Sequence, residues 1–451
     1  MYSFIKDTKN IIFFAILLLL QLGYTAGWAG VYSFLIAKSD ANTLPYYFIF
    51  SALGSFFINI ISAFFSDIFK KQTIIKFSQI IFIIFLIIEI LVIENHNMFN
   101  KTTLFSTLLI LSIIIVSIPS IFSIQLWALI NENVEPSKAS KIYPVLCSAN
   151  IIASISGGMI ANIIPKYFSN IYLIAIWIIT IVISYILISL IKNNYDDEVG
   201  KKQLKTLINN FKDGAKHYFA SSFLKYLSIV FISFWLVNTL TYFYYSQFLV
   251  IRYDNPEKIA SFIGLFTMII QFSALAMQFV ISPIVIKKIG IINGLFYLPV
   301  SQVIGLSLII IYPQFWAIIL TEFLQDFIGM SIQANSVNMS FNIISSKVRA
   351  KIRTLLEGVI NPLGGILAGI SILIIQKTLP QSEFINYHIP LFGLIFAILW
   401  TLSVVKLKKH YIKEIKKSFK INKNNDRIFL KEFLTIEKNA KRKKQSSKNH
   451  I

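Results

Sequence analysis

The groups best able to do chemistry in this sequence sit in its least polar surroundings. Glu322, Asp326 and Gln333 fall inside an apolar run from Phe315 to Phe341. On an ideal helix the second and third lie about 40° and about 20° round from the first, so all three share one face. Ionisable groups in such a run are costly and face a cavity or a neighbouring helix. Two acids on one stripe can pass on a proton or hold a cation. Glu357 and Asn361 form a second pair, four residues apart, just after a segment that packs Lys347, Arg349, Lys351 and Arg353 into seven residues. Glu357 can pair with Arg353 one turn earlier, as part of a gate, or touch a substrate. Two aromatic and polar stripes complete the set: Gln21, Tyr24, Trp28 and Tyr32 in one run, and Trp235, Asn238, Tyr242 and Tyr245 in another. Stripes of this composition can line a cavity where rings stack on a ligand and amides hydrogen-bond it. Tyr32 and Tyr245, near the ends of their runs, also suit an aromatic belt at a membrane interface.

The elements that must position these groups are long apolar helices. The chain has 451 residues, of which 56% are hydrophobic and only 14% charged, against about 45–50% and about 25% in soluble domains. A span needs about 20 mostly apolar residues. Twelve runs qualify, near Ile11–Ile36, Pro45–Phe65, Ile74–Ile93, Leu104–Ile130, Ile142–Ile164, Ile171–Ile191, Leu227–Val250, Ile259–Ile281, Ile289–Ile311, Phe315–Phe341, Ile352–Ile375 and Ile389–Val405. The expected fold is an all-α polytopic membrane protein of about 12 transmembrane helices in a 6+6 pseudo-repeat. Its expected units are a six-helix bundle at residues 1–192, a linker at 193–225, a second bundle at 226–405 and a basic tail at 406–451.

The net charge of +21 comes from cations at span ends and in the tail, which speaks for membrane topology rather than nucleic acid. One set of loops holds only the scattered Lys38, Lys101, Lys166, Arg252, Lys258 and Lys377. The other holds Lys6, Lys9, Lys70, Lys71, Lys138, Lys141, Lys287, Lys288, the linker, the segment before Glu357 and the tail. This asymmetry puts both termini in the cytoplasm, and the setting is a bacterial inner membrane. The tail's Lys441-Arg442-Lys443-Lys444 suits anionic lipid headgroups. A single cysteine, Cys147, excludes an internal disulfide or a cysteine-ligated metal, and no phosphate loop or other cofactor motif is present. The first apolar run is too long for a cleavable signal.

Two stretches echo each other about 210 residues apart: Ser137–Ala161, with Pro144 and Gly157-Gly158, and Ser346–Gly369, with Pro362 and Gly364-Gly365. The glycines suit close helix approach and the prolines suit kinks. Two parallel halves joined by a cytoplasmic linker resemble the major facilitator transporters. Ser66-Asp67-Ile68-Phe69-Lys70-Lys71 and Val285-Ile286-Lys287-Lys288-Ile289-Gly290 resemble that superfamily's loop signature, the second copy lacking the acid. The order Leu126-Trp127-Ala128-Leu129-Ile130-Asn131-Glu132, Lys141-Ile142-Tyr143-Pro144 and Asn150-Ile151 resembles the bacterial and plastid ATP/ADP translocases. Lys347-Val348-Arg349-Ala350-Lys351 with Glu357 and Gly364-Gly365 resembles their later hinge.

These likenesses imply a secondary transporter, not an enzyme, working by alternating access on a small-molecule substrate. The translocase likeness implies exchange of nucleotides. The residues point instead to a neutral or cationic solute moved with a proton on Glu322 or Asp326, because a polyanion needs several cations in its cavity. Gln21, Tyr24, Trp28, Trp235, Asn238, Tyr242 and Gln333 are the expected cavity; Asp67, Lys141, Lys351, Arg353, Glu357 and Asn361 the expected cytoplasmic gate. A non-transporting polytopic protein would want a sizeable polar loop with convergent acids or histidines, which the short loops do not supply.

Overall fold

The structure is a computed structural model and describes residues 8–38, 43–66, 69–134, 136–191, 218–219, 221–277, 288–344, 349, 352–353, 355–378 and 387–421. Every run expected to span forms a helix. In chain order these are α1 (Thr8–Lys38), α2 (Leu44–Ser66), α3 (Lys71–Glu94), α4 (Lys101–Asn133), α5 (Pro136–Ile163), α6 (Ile171–Leu190), α7 (Ser222–Arg252) and α8 (Pro256–Ala276). They continue with α9 (Ile291–Ile311), α10 (Phe315–Ile343), α11 (Leu356–Thr378) and α12 (Ile389–Ile421). All twelve are long and apolar enough to cross a membrane.

The helices differ in regularity. Those of the first half run without a wide turn, although α4 carries Pro119 and α5 carries Pro144. In the second half α9 starts at Gly290, whose φ of 95° is open to glycine and strained for side-chain-bearing residues. α10 widens into a π turn at Gly329–Gln333 and closes with a 3-10 turn at Phe341–Ile343. α11 opens with a second π turn, Leu356–Ile360. π turns are rare and concentrate where a helix must be re-aimed. These two lie in α10 and α11, which carry Glu322, Asp326 and Glu357; shorter π stretches stand at Met277 and at Tyr387–His388. α12 runs 16 residues beyond the expected end of its span at Val405.

The packing repeats. α1 lies against α5 and α6, and α7 lies against α11 and α12; α3 packs on α4 and α6, and α9 on α10 and α12. Each contact in the first half therefore has a counterpart six helices later, as parallel repeats require. The halves meet along α2–α11 and α5–α8, which exchange under the same relation.

Both contacts depend on glycine. A methyl at Gly264 of α8 would stand 2.5 Å from the Asn162 nitrogen of α5, and one at Gly158 would stand 2.7 Å from the Gly264 carbonyl oxygen. On the other flank a methyl at Gly369 would meet Ile49 at 2.4 Å. Small residues allow this approach in lipid, where packing replaces the hydrophobic effect as the driving force.

Candidate functional site

The stripes of α1 and α7 are brought together across the two halves. Tyr24 stacks on Trp28 with ring centres 6.5 Å apart, Trp28 on Tyr32 at 5.3 Å, and Tyr32 on Tyr242 at 5.3 Å. The chain of rings continues through Tyr245, 5.8 Å from Tyr242, to Phe266 of α8 at 5.7 Å. Tyr47 of α2 packs on both Trp28 and Tyr32. The Tyr32 and Ser246 hydroxyls share a hydrogen bond of 2.7 Å across the halves. Ring pairs of this kind contribute about 0.5–1.5 kcal/mol each beyond their buried area. Tyr32 and Tyr245 are thus buried rings of a plug between the halves, not members of an interfacial belt.

The plug lies toward one face of the molecule. Asn162, one residue from the end of α5, donates from Nδ2 to the Ser261 carbonyl at 2.9 Å, and the Ser261 hydroxyl donates back to the Asn162 carbonyl at 2.9 Å. Together with Gly369 against Ile49 and Pro45, these contacts join the halves on the face opposite the α4–α5 and α10–α11 hinges. The halves are therefore closed against each other on that face.

Not every member of the stripes is in the plug. Trp235 and Asn238 sit one to two turns nearer the hinge face; Trp235 is 39% exposed and backs onto Gly364 of α11, and Asn238 is half-buried. Gln21 is tied rather than free on its amino side: Nε2 donates to Ser154 of α5 at 3.0 Å and to Thr25 at 3.3 Å.

Glu322 is 3% exposed, and its Oε2 has no hydrogen-bond partner among the described residues. Its charge reaches Tyr32, Tyr242 and Tyr245, and that of Asp326 also reaches Tyr245. The acid pair therefore stands beside the aromatic plug. Between the acids and Gln333 the helix widens into the π turn that Gln333 ends, so the angle of an ideal helix does not carry over to that residue. It is buried, with Oε1 unpartnered.

The expected gate resolves in part. Arg353 donates from Nε to Glu357 at 2.6 Å and from its second guanidinium nitrogen to Asn338 of α10 at 2.8 Å, and it lies over the Phe341 ring. Arg349 donates to the carbonyls of Ile344 and Asn342, satisfying groups left open at the end of α10. Glu357 is thus a partner of Arg353 within the hinge. Asn361 begins the regular part of α11, with its Oδ1 buried and unpartnered. Asp67 and Lys351 lie outside the described residues, as does the side chain of Lys141. At the other hinge Glu132 pairs with Lys71, Tyr143 donates to Asn131 at 2.6 Å, and Lys9 donates to Asn133 at 3.2 Å. The Trp-Asn-Glu motif therefore ties α1, α3 and α5 to the end of α4.

Sequence reasoning missed two members of the plug and one buried acid apart from it. Tyr47 lies at a span start, where an aromatic reads as an interface anchor. Ser246 has no signal beyond being a hydroxyl. Glu89 on α3 did carry one, as an acid inside an apolar run, but its place near Glu94 and His96 disguised it as a span end. Its side chain is fully buried, and neither carboxyl oxygen has a hydrogen-bond partner.

No protein-family model matches the chain, and no curated protein matches it. Solved structures do. A variant of the nucleoside transporter NupG superposes with a TM-score of 0.66 at 15% identity, over 89% of this chain and 99% of that one. A D-xylose–proton symporter gives 0.62 at 14%, over 88% and 96%. A bacterial homologue of the iron transporter ferroportin, in an inward-facing state, gives 0.63 at 16%, over 88% and 98%. These are transporters rather than enzymes. The fold is accordingly that of the major facilitator transporters, and the chain is an integral membrane protein.

Proposed function

We propose that the chain is a secondary transporter that moves a small solute together with a proton, using Glu322 and Asp326 as the proton-carrying pair. The observation that carries this reading is the buried, unpartnered Oε2 of Glu322 beside the rings that close the halves. A carboxyl group there can take up or release a proton as the plug opens and closes, so protonation and closure act on the same contacts. The hinge face is cytoplasmic by its excess of Lys and Arg, and the closed face is then the external one. Neighbouring folds include a nucleoside transporter, a D-xylose–proton symporter and a homologue of an iron transporter, so the fold leaves the solute open. Exchange of nucleotides draws its support from the motif order alone. Arg349 and Arg353, which would be wanted for phosphate, are engaged in joining α10 to α11.

The test is uptake into liposomes containing the purified chain under an imposed pH gradient, across a panel of nucleosides, sugars, amino acids and nucleotides. Uptake of a solute that collapses with the gradient is expected. Gradient-independent exchange of nucleotides would replace this reading with the other.

A further inference from the structure

The first half contains a cleft that the acid pair does not use. It has a volume of about 290 Å³ and opens between α1, α4, α5 and α6, near the small end of ligand pockets, which run about 300–1,000 Å³. Tyr24, Trp127 and Trp177 give it aromatic walls, and Gln21, Ser123 and Asn150 give it polar points. Among the described residues, no Asp, Glu, Lys, Arg or His lines it.

Its polar groups are left available. Both described hydrogen bonds of Gln21 use Nε2, which leaves Oε1 to accept from a ligand. The Asn150 amide, the Ser123 hydroxyl and the Trp127 Nε1–H make no hydrogen bond among the described residues. The cleft thus offers an acceptor, a donor, an amide that is both, and a hydroxyl, all set among ring faces. That is the complement of a flat, uncharged molecule with donors and acceptors along its edge. A phosphate ester would enter without a single cation to meet it, at the desolvation cost of an unpaired charge. Tyr24 connects the cleft to the rest of the pathway: its ring stacks on Trp28, planes 3° apart, as the first member of the chain that reaches Tyr242. A ring seated on Tyr24 therefore bears on the plug.

Resting on the transporter reading above, we propose that this cleft holds the solute and that the solute is a neutral nitrogen heteroaromatic, a nucleobase or nucleoside without phosphate. Asn150 and Gln21 read its edge, and Tyr24 and Trp127 take its ring. Solute and proton then bind in different halves.

Isothermal titration calorimetry on the purified full chain tests this with adenine, adenosine, uridine, ATP and D-xylose as probes. At least one of the first three should bind, with ATP and D-xylose at least tenfold weaker. Asn150→Leu should weaken that binding at least tenfold and Ser123→Ala, a change too small to unfold the chain, about threefold; Lys258→Ala, on an exposed turn, should leave it unaltered. Three results would overturn the proposal: ATP binding as tightly as adenosine, no binding by any of the three heteroaromatic probes, or binding unaffected by both cleft variants. The proton reading fails separately. Binding as expected without pH-driven uptake would sink that reading alone, and pH-driven uptake of D-xylose without heteroaromatic binding would sink this one alone.

Discussion

The two halves share one packing plan and treat their buried polar groups differently. In the first half the amides work as staples between helices. Gln79 of α3 donates to Ser184 of α6, Gln125 of α4 to Ser62 of α2, Asn170 before α6 to Ser33 of α1, and Gln21 of α1 to Ser154 of α5. Buried atoms without a partner among the described residues occur in both halves: in the first they are spread over α3, α4 and the start of α6, on Gln79, Glu89, Ser112, Gln125 and Asn170. In the second Gln302 donates to the Thr321 carbonyl, but one helix gathers Gln325, with neither amide atom bonded, and Glu322, Gln333 and Ser336, with one unpartnered atom each. All four of these residues belong to α10, the helix whose ladder is widened by a π turn. Buried polar atoms without partners call for a functional explanation or bound water. On the proton-coupled reading proposed above, this clustering gives the halves separate mechanical roles: the first a stapled frame around the cleft, the second the part that exchanges protons and rearranges.

Substitutions can break that contrast. The largest effect is expected from Glu322→Gln, which should lower proton-driven uptake at least tenfold and flatten its dependence on pH. Glu89→Gln is the control within the first half, since it too replaces a buried carboxyl. It should leave the pH dependence in place, and an equal loss in both variants would end the division of labour. Next is Gly264→Ala, whose methyl would collide with the α5 backbone. Overpacking of this kind costs about 1–3 kcal/mol, and here it falls on the closed state, so uptake should drop severalfold while the protein still elutes as a single species.

Smaller effects sharpen the picture. Gln79→Leu removes one staple, and interhelical hydrogen bonds in membranes contribute about 0.6 kcal/mol on average. A modest fall in thermal midpoint with unaltered pH coupling is expected; a shift in coupling would count against the frame. The smallest effect belongs to the hinge pair Lys71 and Glu132, which is partly exposed. A double-mutant cycle read by thermal unfolding should give about 0.2–1 kcal/mol of interaction.

The hinges show how far sequence reasoning reached. Their shared plan was legible because cations at span ends, prolines and paired glycines are local signals. The use of those cations was legible only in part. The pairing of Arg353 with Glu357 was open to sequence reasoning, being one turn long, but Arg353 reaches Asn338, fifteen residues away, only once α10 and α11 lie side by side. The aromatic stripes divide the same way. Each was visible from spacing along one helix, but the meeting of Tyr32 with Tyr242 and Ser246, more than 200 residues apart, belongs to the tertiary arrangement.

By itself the sequence determined the twelve spans, their grouping into two halves and the presence of acids on α10, because length, apolarity and helical period are properties of short segments. The tertiary structure decided which groups face one another. It set a π turn between the acids and Gln333, left both oxygens of Glu89 and the Oε2 of Glu322 without a hydrogen-bond partner among the described residues, and left a cleft whose described lining carries no charge in one half opposite an acid pair in the other. These outcomes depend on how helices distant in sequence pack and on where a ladder widens under that packing, which no local pattern encodes.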